Sequence, residues 1–216
     1  MPTITTAKTL DAVVRYEQDK EFSREKVVFT GSAAVQVGQV LGRVLFDVNA
    51  AEKGTNTGAG TVGTVTAGKK VQIGTYTLAC IAKVAGAGTF KVIAPDGTRL
   101  NDATVGSAYT SEHLNFTIAD GDPDFEVGDS FTVEIEAGSG ACKGLDLSAT
   151  DGTQIAAAIA YGAYNATDGD VTGVAIVREA GVIESGLVWP AGATAGQKAD
   201  ALRELKTQGI VALVEA

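Results

Sequence analysis

Apolar positions in this chain recur mostly with a period of two. In Phe131-Thr132-Val133-Glu134-Ile135-Glu136 apolar and polar side chains alternate, as in a strand with one buried face. Short runs of the same kind lie at 26–29, 39–46, 62–65, 70–73, 75–82, 88–93, 114–118 and 130–136. Turn signals separate them: Thr30-Gly31-Ser32, Pro95-Asp96-Gly97, Asp120-Gly121-Asp122-Pro123 and Val127-Gly128-Asp129. Gly38 and Gly42 suggest a bend or bulge beside the run at 39–46.

Further along, Thr150-Asp151-Gly152-Thr153 turns into an Ala-rich apolar run at 154–164. Its length suits a strand or a short helix equally; Gly162 with Tyr161 and Tyr164 favours a strand. Residues 171–178 and 181–189 read as strands, the second stopped by Pro190. The period changes only near the end. Thr194 can cap a helix over 195–208, with Ala199, Leu202 and Leu205 on one face and Gly209 as its stop. Residues 210–214 read as a last strand. The expected fold class is therefore mainly β, with one short C-terminal helix.

Two Gly-rich stretches, 52–60 and 137–140, read as flexible linkers. Between them lie six or seven short strands at the spacing of a small β-sandwich. The expected organisation is an inserted sandwich at 51–143 in a surface loop of a host domain built from 21–50 and 144–216. Residues 1–20 are Thr-rich, then charged, with few apolar groups to offset the entropy of ordering. They read as a mobile arm that a partner surface could order.

Composition narrows the function. The formal charge is −9, and Lys69-Lys70 is the one basic cluster, so no nucleic-acid-binding surface is expected. No basic segment leads into an apolar run, and none approaches the ~20 residues of a membrane helix; no leader and no membrane contact are expected. Cys80 and Cys142 read as reduced, partly buried thiols of a product made in a cytoplasm, with a disulfide between them as the alternative.

Motifs for chemistry are few. Gly58-Ala59-Gly60-Thr61-Val62-Gly63 has dinucleotide-loop spacing, but it lacks the preceding strand, the following helix and the later acid. Residues 63–70 nearly match a P-loop, yet Lys70 stands where a metal-binding hydroxyl is needed. Asp120, Asp122, Asp124, Glu126 and Asp129 form an acidic turn without the regular Ca²⁺-loop pattern. His113, the only histidine, has no nucleophile elbow to serve, and one His with two distant Cys cannot make a zinc site. No catalytic, cofactor or metal residue is assigned, and no enzyme is expected. Trp189-Pro190 is either a core anchor at a strand end or an anchor at a subunit contact.

Joining the flanks of the middle block brings together an ordered set. It runs Gly38-Gln39-Val40-Leu41-Gly42, Asp151-Gly152-Thr153, Tyr161-Gly162, Thr167-Asp168-Gly169, Ala175-Ile176-Val177-Arg178 and Trp189-Pro190, then a short helix and strand. This composite, over about 17–48 and 144–214, resembles the head decoration proteins of tailed phages, the lambda protein D type. The middle block looks like a β insert of phage structural proteins and departs from the short members. The resemblance implies a β-clip-like decoration domain and a non-enzymatic cement protein. Such a protein is a homotrimer on the outer surface of the virion capsid, bound to the major capsid protein and stabilising the expanded head against DNA pressure. It implies capsid contacts near Phe22, Ser23, Arg24, Lys26, Val27, Val28 and Phe29, and a trimer contact near Trp189 and Pro190. A second expectation is that the insert, displayed on the particle, recognises a cell-surface ligand of the host.

Overall fold

Alternating sequence becomes strand wherever one face can be buried, and that rule generates most of the regular structure of this chain. The structure, a computed structural model, describes residues 9–31 and 33–213. It is mainly β, with one short C-terminal helix and curled, barrel-like sheets. The chain divides into two compact units, Met1–Leu45 with Ser139–Ala216, and Phe46–Gly138.

The first unit begins with a 3-10 turn, Leu10–Ala12, then β1 (Val14–Glu17), the four-residue helix α1 (Lys20–Ser23), β2 (Arg24–Phe29), β3 (Ala34–Val35) and β4 (Val40–Arg43). The second unit holds β5 (Phe46–Val48), β6 (Glu52–Lys53), β7 (Thr61–Val62), β8 (Thr66–Ala67), β9 (Gly74–Val84) and β10 (Ala87–Ile93). It ends with β11 (Ala103–Thr104), β12 (Ala108–Thr110), β13 (Leu114–Ala119) and β14 (Ser130–Ala137). The chain then completes the first unit with β15 (Cys142–Gly144), β16 (Ala156–Ala160), β17 (Tyr164–Asn165), β18 (Val171–Ile176), β19 (Ala180–Ile183), α2 (Ala195–Thr207) and β20 (Ile210–Leu213).

In the first unit, β15-β2-β18-β16-β4 close into a barrel. So narrow a barrel admits only small inward side chains beside a few large ones. Ala158, Ala160 and Ala175 therefore line it with Phe29 and Leu41. Ile159 and Ile176 enter a second core with Val13, Val40, Val182, Leu205 and Ile210, beneath α2 and the sheet β1-β19-β20. Burial on both faces explains why 154–164 reads as a continuous apolar run. The register slips by one residue between Ala156 and Ala158 opposite Gly42-Leu41, a bulge beside the glycine that suggested one.

Helix α2 is set by a reciprocal capping box: Thr194 Oγ1 accepts the Gln197 N–H, and Gln197 Oε1 accepts the Thr194 N–H. Its buried face is Ala201 and Leu205, four apart, with Leu202 half-buried; Ala199, expected on that face, is exposed. The 181–189 strand is shorter than expected. β19 ends at Ile183, and a 3-10 turn, Glu184–Gly186, interrupts it.

In the second unit, β11-β10-β9-β14-β5, with β6 also on β14, share one core with a sheet in which β13 pairs β12, β7 and β8. Phe90, Phe125 and Phe131 meet at 5.0–5.9 Å with crossed ring planes. Residues 70–73, expected as a strand, are turn and coil.

Three boundary expectations are corrected. The middle unit spans 46–138, not 51–143, because Phe46 pairs Ala137 and Val48 pairs Ile135, whereas Cys142 pairs Arg43. The stretch 52–60 is not a free linker. Lys53 pairs Phe131, and Gly60 lies so close to the Phe125 ring that a side chain there would collide. Residues 10–17 are not an arm. β1 pairs β19 and Val13 is fully buried. Residues 1–8 lie outside the described residues.

Candidate functional site

The segment expected to face a partner begins at Asp19, whose carboxylate accepts the Glu21 and Phe22 N–H groups at 2.8 and 3.2 Å and starts α1. Ser23 is fully buried, and its hydroxyl donates to the Glu179 carbonyl at 3.0 Å. Glu179 has φ of +44°, a left-handed conformation that turns its carbonyl toward Ser23 and the Gln18 N–H.

Arg24 is engaged by its own chain. Its guanidinium binds both Glu17 oxygens and lies 4.0 Å above the Tyr161 ring centroid. The bond to Glu17 holds the guanidinium above its ordinary range, outweighing the lowering effect of burial. Along β2 the pleat sorts the remaining candidates. Val27 and Phe29 face the core, Phe29 stacking on Tyr164 at 4.5 Å, whereas Lys26 and Val28 face out. Of the seven residues expected at a partner contact, Ser23, Val27 and Phe29 are thus core. Phe22, Lys26 and Val28 present exposed side chains.

Phe22 is half exposed and held from behind. Arg178 Nη1 donates to its carbonyl at 2.7 Å, and the guanidinium lies 5.4 Å from its ring centroid. Arg178 also reaches Glu25 at 2.9 Å, and Arg43 reaches the other Glu25 oxygen at 3.3 Å. These residues, with Ala156, Ala157 and Val177 among others, line a cavity of about 400 Å³.

Trp189 and Pro190 are half-buried, and Trp189 packs on the second core of the unit with Lys198 Nζ 6.0 Å above its ring. Val188 is tied to Gln39 by a parallel bridge. Reasoning on the sequence missed Tyr16, Val211 and Leu213, all exposed apolar groups on the sheet β1-β19-β20, with Tyr16 and Val211 in register across Gly181. The signal was the alternation Ile210, Val211, Ala212, Leu213, in which Ile210 is buried and the odd positions are not.

The chemistry candidates resolve into structure. Asp129, expected in a solvated acidic turn, is buried and accepts the Thr57, Gly58 and Glu126 N–H groups at 2.9–3.0 Å. Burial alone would raise this carboxyl, but the three N–H donors and nearby Lys53 leave it below its ordinary value. His113 Nδ1 lies 3.0 Å from the Tyr76 hydroxyl. Cys80 and Cys142 are both buried free thiols, and burial pushes each up. Among the described residues, no group of three or more His, Cys, Asp or Glu side chains could hold a metal.

Comparison with known proteins gives one family. Curated proteins show no match. Solved structures of flagellar proteins match weakly. FlgL of Xanthomonas campestris is 20% identical at a TM-score of 0.30, covering 50% of this chain and 34% of that one. The flagellar junction protein FlgL of Legionella pneumophila is 16% identical at 0.29, covering 48% and 37%. The chain spans about a third of the length of those structures, and likeness at that level carries no argument. A family model described as Bacteriophage lambda head decoration protein D matches residues 3–210, through both units. The chain belongs to that family of structural proteins of the phage head.

Proposed function

We propose that this head decoration protein binds the outside of the expanded capsid as a homotrimer, bridging neighbouring major capsid subunits and bracing the shell against packaged DNA. The match to the decoration family over residues 3–210 carries this reading. The exposed side chains of the first unit support it. Phe22, Val28, Tyr16, Val211 and Leu213 are large apolar groups that stand exposed. Each contact would be small, and repetition over a lattice multiplies small contacts. In this reading Phe22, Lys26 and Val28 touch the capsid, and Trp189 with Pro190 lies near the threefold neighbour. Co-sedimentation with expanded, DNA-free shells tests it. Binding with one trimer at each threefold position supports the proposal, and a protein left in the supernatant sinks it.

Within the same reading, residues 46–138 are an inserted domain displayed on the particle. Their own core and the exposed Ile73, Val84 and Val127 favour a second role, recognition of a cell-surface ligand. Adsorption of decorated particles to host cells, with and without residues 46–138, tests that role. Equal adsorption would reject it.

A further inference from the structure

Tyr76 is fully buried on β9, and its hydroxyl oxygen accepts the backbone N–H of Gln72 at 2.8 Å. A backbone amide can only donate, so the hydroxyl proton must go elsewhere. The other partner of the hydroxyl is His113 Nδ1, 3.0 Å away. Pairing that proton requires Nδ1 to accept, which makes the ring neutral with its own proton on Nε2. The tautomer follows from the amide.

The location matters as much as the protonation state. Tyr76 lies in the sheet β11-β10-β9-β14-β5, while His113 immediately precedes β13 of the other sheet. The bond thus joins two sheets around one core. We infer that His113 is an acid-released clasp of the 46–138 unit: neutral, it accepts the Tyr76 hydroxyl and ties the sheets together; protonated, it presents a second donor to that oxygen and leaves the hydroxyl proton without an acceptor.

Other groups face the pair. Asp96, on the turn after β10, and Glu112, beside His113, are the charged groups near the pair. Both are exposed and already engaged: Asp96 by Gln72 Nε2 at 3.0 Å and the Thr98 N–H at 2.8 Å, Glu112 by Lys70 at 2.6 Å. Solvent screens exposed charges of this kind. Tyr109 on β12 faces Tyr76 but is neutral over this range. The buried hydroxyl, which cannot turn to water, decides the outcome.

Hydrogen exchange on the full chain tests the clasp, with rates corrected for the intrinsic pH effect. From pH 7 to pH 5, opening at Leu78 and Val133 is expected to rise about tenfold relative to Ile159 and Ile176 of the other unit. His113→Gln retains an acceptor carbonyl that takes up no proton, and the rise should vanish. Nitrogen NMR of the single imidazole in the unmodified protein gives a second reading, expected to show the Nε2–H tautomer at pH 7. An Nδ1–H ring at pH 7, no rise in the unmodified chain, or an equal rise in His113→Gln each overturns the inference.

Discussion

Arg24 grips Glu17 through two hydrogen bonds, Nε to Oε1 at 2.8 Å and Nη2 to Oε2 at 2.6 Å. The pair joins the start of β2 to the end of β1 and makes the charged segment near the N-terminus part of the folded unit. Glu17 is the more enclosed partner, its side chain 10% exposed against 22% for Arg24. Glu17→Gln keeps the size and removes the charge. It is expected to cost about 2 kcal/mol. Urea unfolding would measure that loss, and faster amide exchange at Tyr16 and Gly181 would place it on the sheet β1-β19.

The arm expected over residues 1–20 is folded structure at 10–17, and residues 1–8 lie outside the described residues. Deleting residues 1–8 leaves Val13 and β1 in place, and shell binding should weaken. Deleting 1–17 removes a fully buried core residue and a paired strand. A cost of about 3 kcal/mol or more is then expected on stability itself. Unchanged co-sedimentation of the shorter deletion would reject the arm.

Phe22→Ala and Val28→Lys alter exposed positions and should change stability by about 0.5 kcal/mol or less. Shell binding should fall for both. Val27→Lys, one position along, should instead fail to fold, because Val27 faces the barrel core. Trp189→Ala should lower the mass of the shell-free or shell-bound oligomer if the residue meets a neighbour. An unaltered trimer would return Trp189 to a packing role.

Asp129 sits where three backbone N–H groups converge, so Asp129→Asn leaves at least one donor poorly paired in a buried site. A loss of about 1–3 kcal/mol is expected. The folded carboxyl is held below its unfolded value near 3.9. Its contribution is therefore complete above roughly pH 5 and is lost as pH falls through the lowered value. The stability gap between the unmodified chain and Asp129→Asn should narrow from pH 6 to pH 3 in urea unfolding.

Val44 N–H donates to the Ala141 carbonyl at 2.9 Å, and its own carbonyl accepts the Gly140 N–H at 2.9 Å. The two ends at which the first unit is interrupted are thus paired already. Replacing residues 46–138 by a two- to four-residue turn should leave a folded chain with dispersed NMR signals at Ile159 and Ile176. Collapse of that chain would make the 46–138 unit a necessary part of the fold.

Much of this was legible residue by residue. The alternation at 131–136, the Thr194 cap and the turn glycines are local signals, and each produced the element it announced. The site was less legible. The contact segment 22–29 was expected whole from the family resemblance, and which of its side chains face inward was not readable: Val27 and Phe29 lie on the inner face of β2, and Ser23 is buried at the end of α1. Residues 52–60 read as a linker because glycine suits a flexible chain as well as a close approach to an aromatic ring. Phe125 lies some seventy residues on from that stretch, and the sequence does not bring it near.

What the sequence determined by itself was the kind of structure: period-two burial, short turns, one capped helix and the ordered motifs of a decoration protein. Those depend on neighbours a few positions apart. Tertiary structure alone decided that β1 is held by Glu17–Arg24, that Asp129 closes on Thr57 and Gly58, and that His113 meets Tyr76. Each of these is a meeting of hydrogen-bonding groups brought together by strand pairing or core packing. Their energy depends on burial and direction, which no local pattern of apolar and polar residues records.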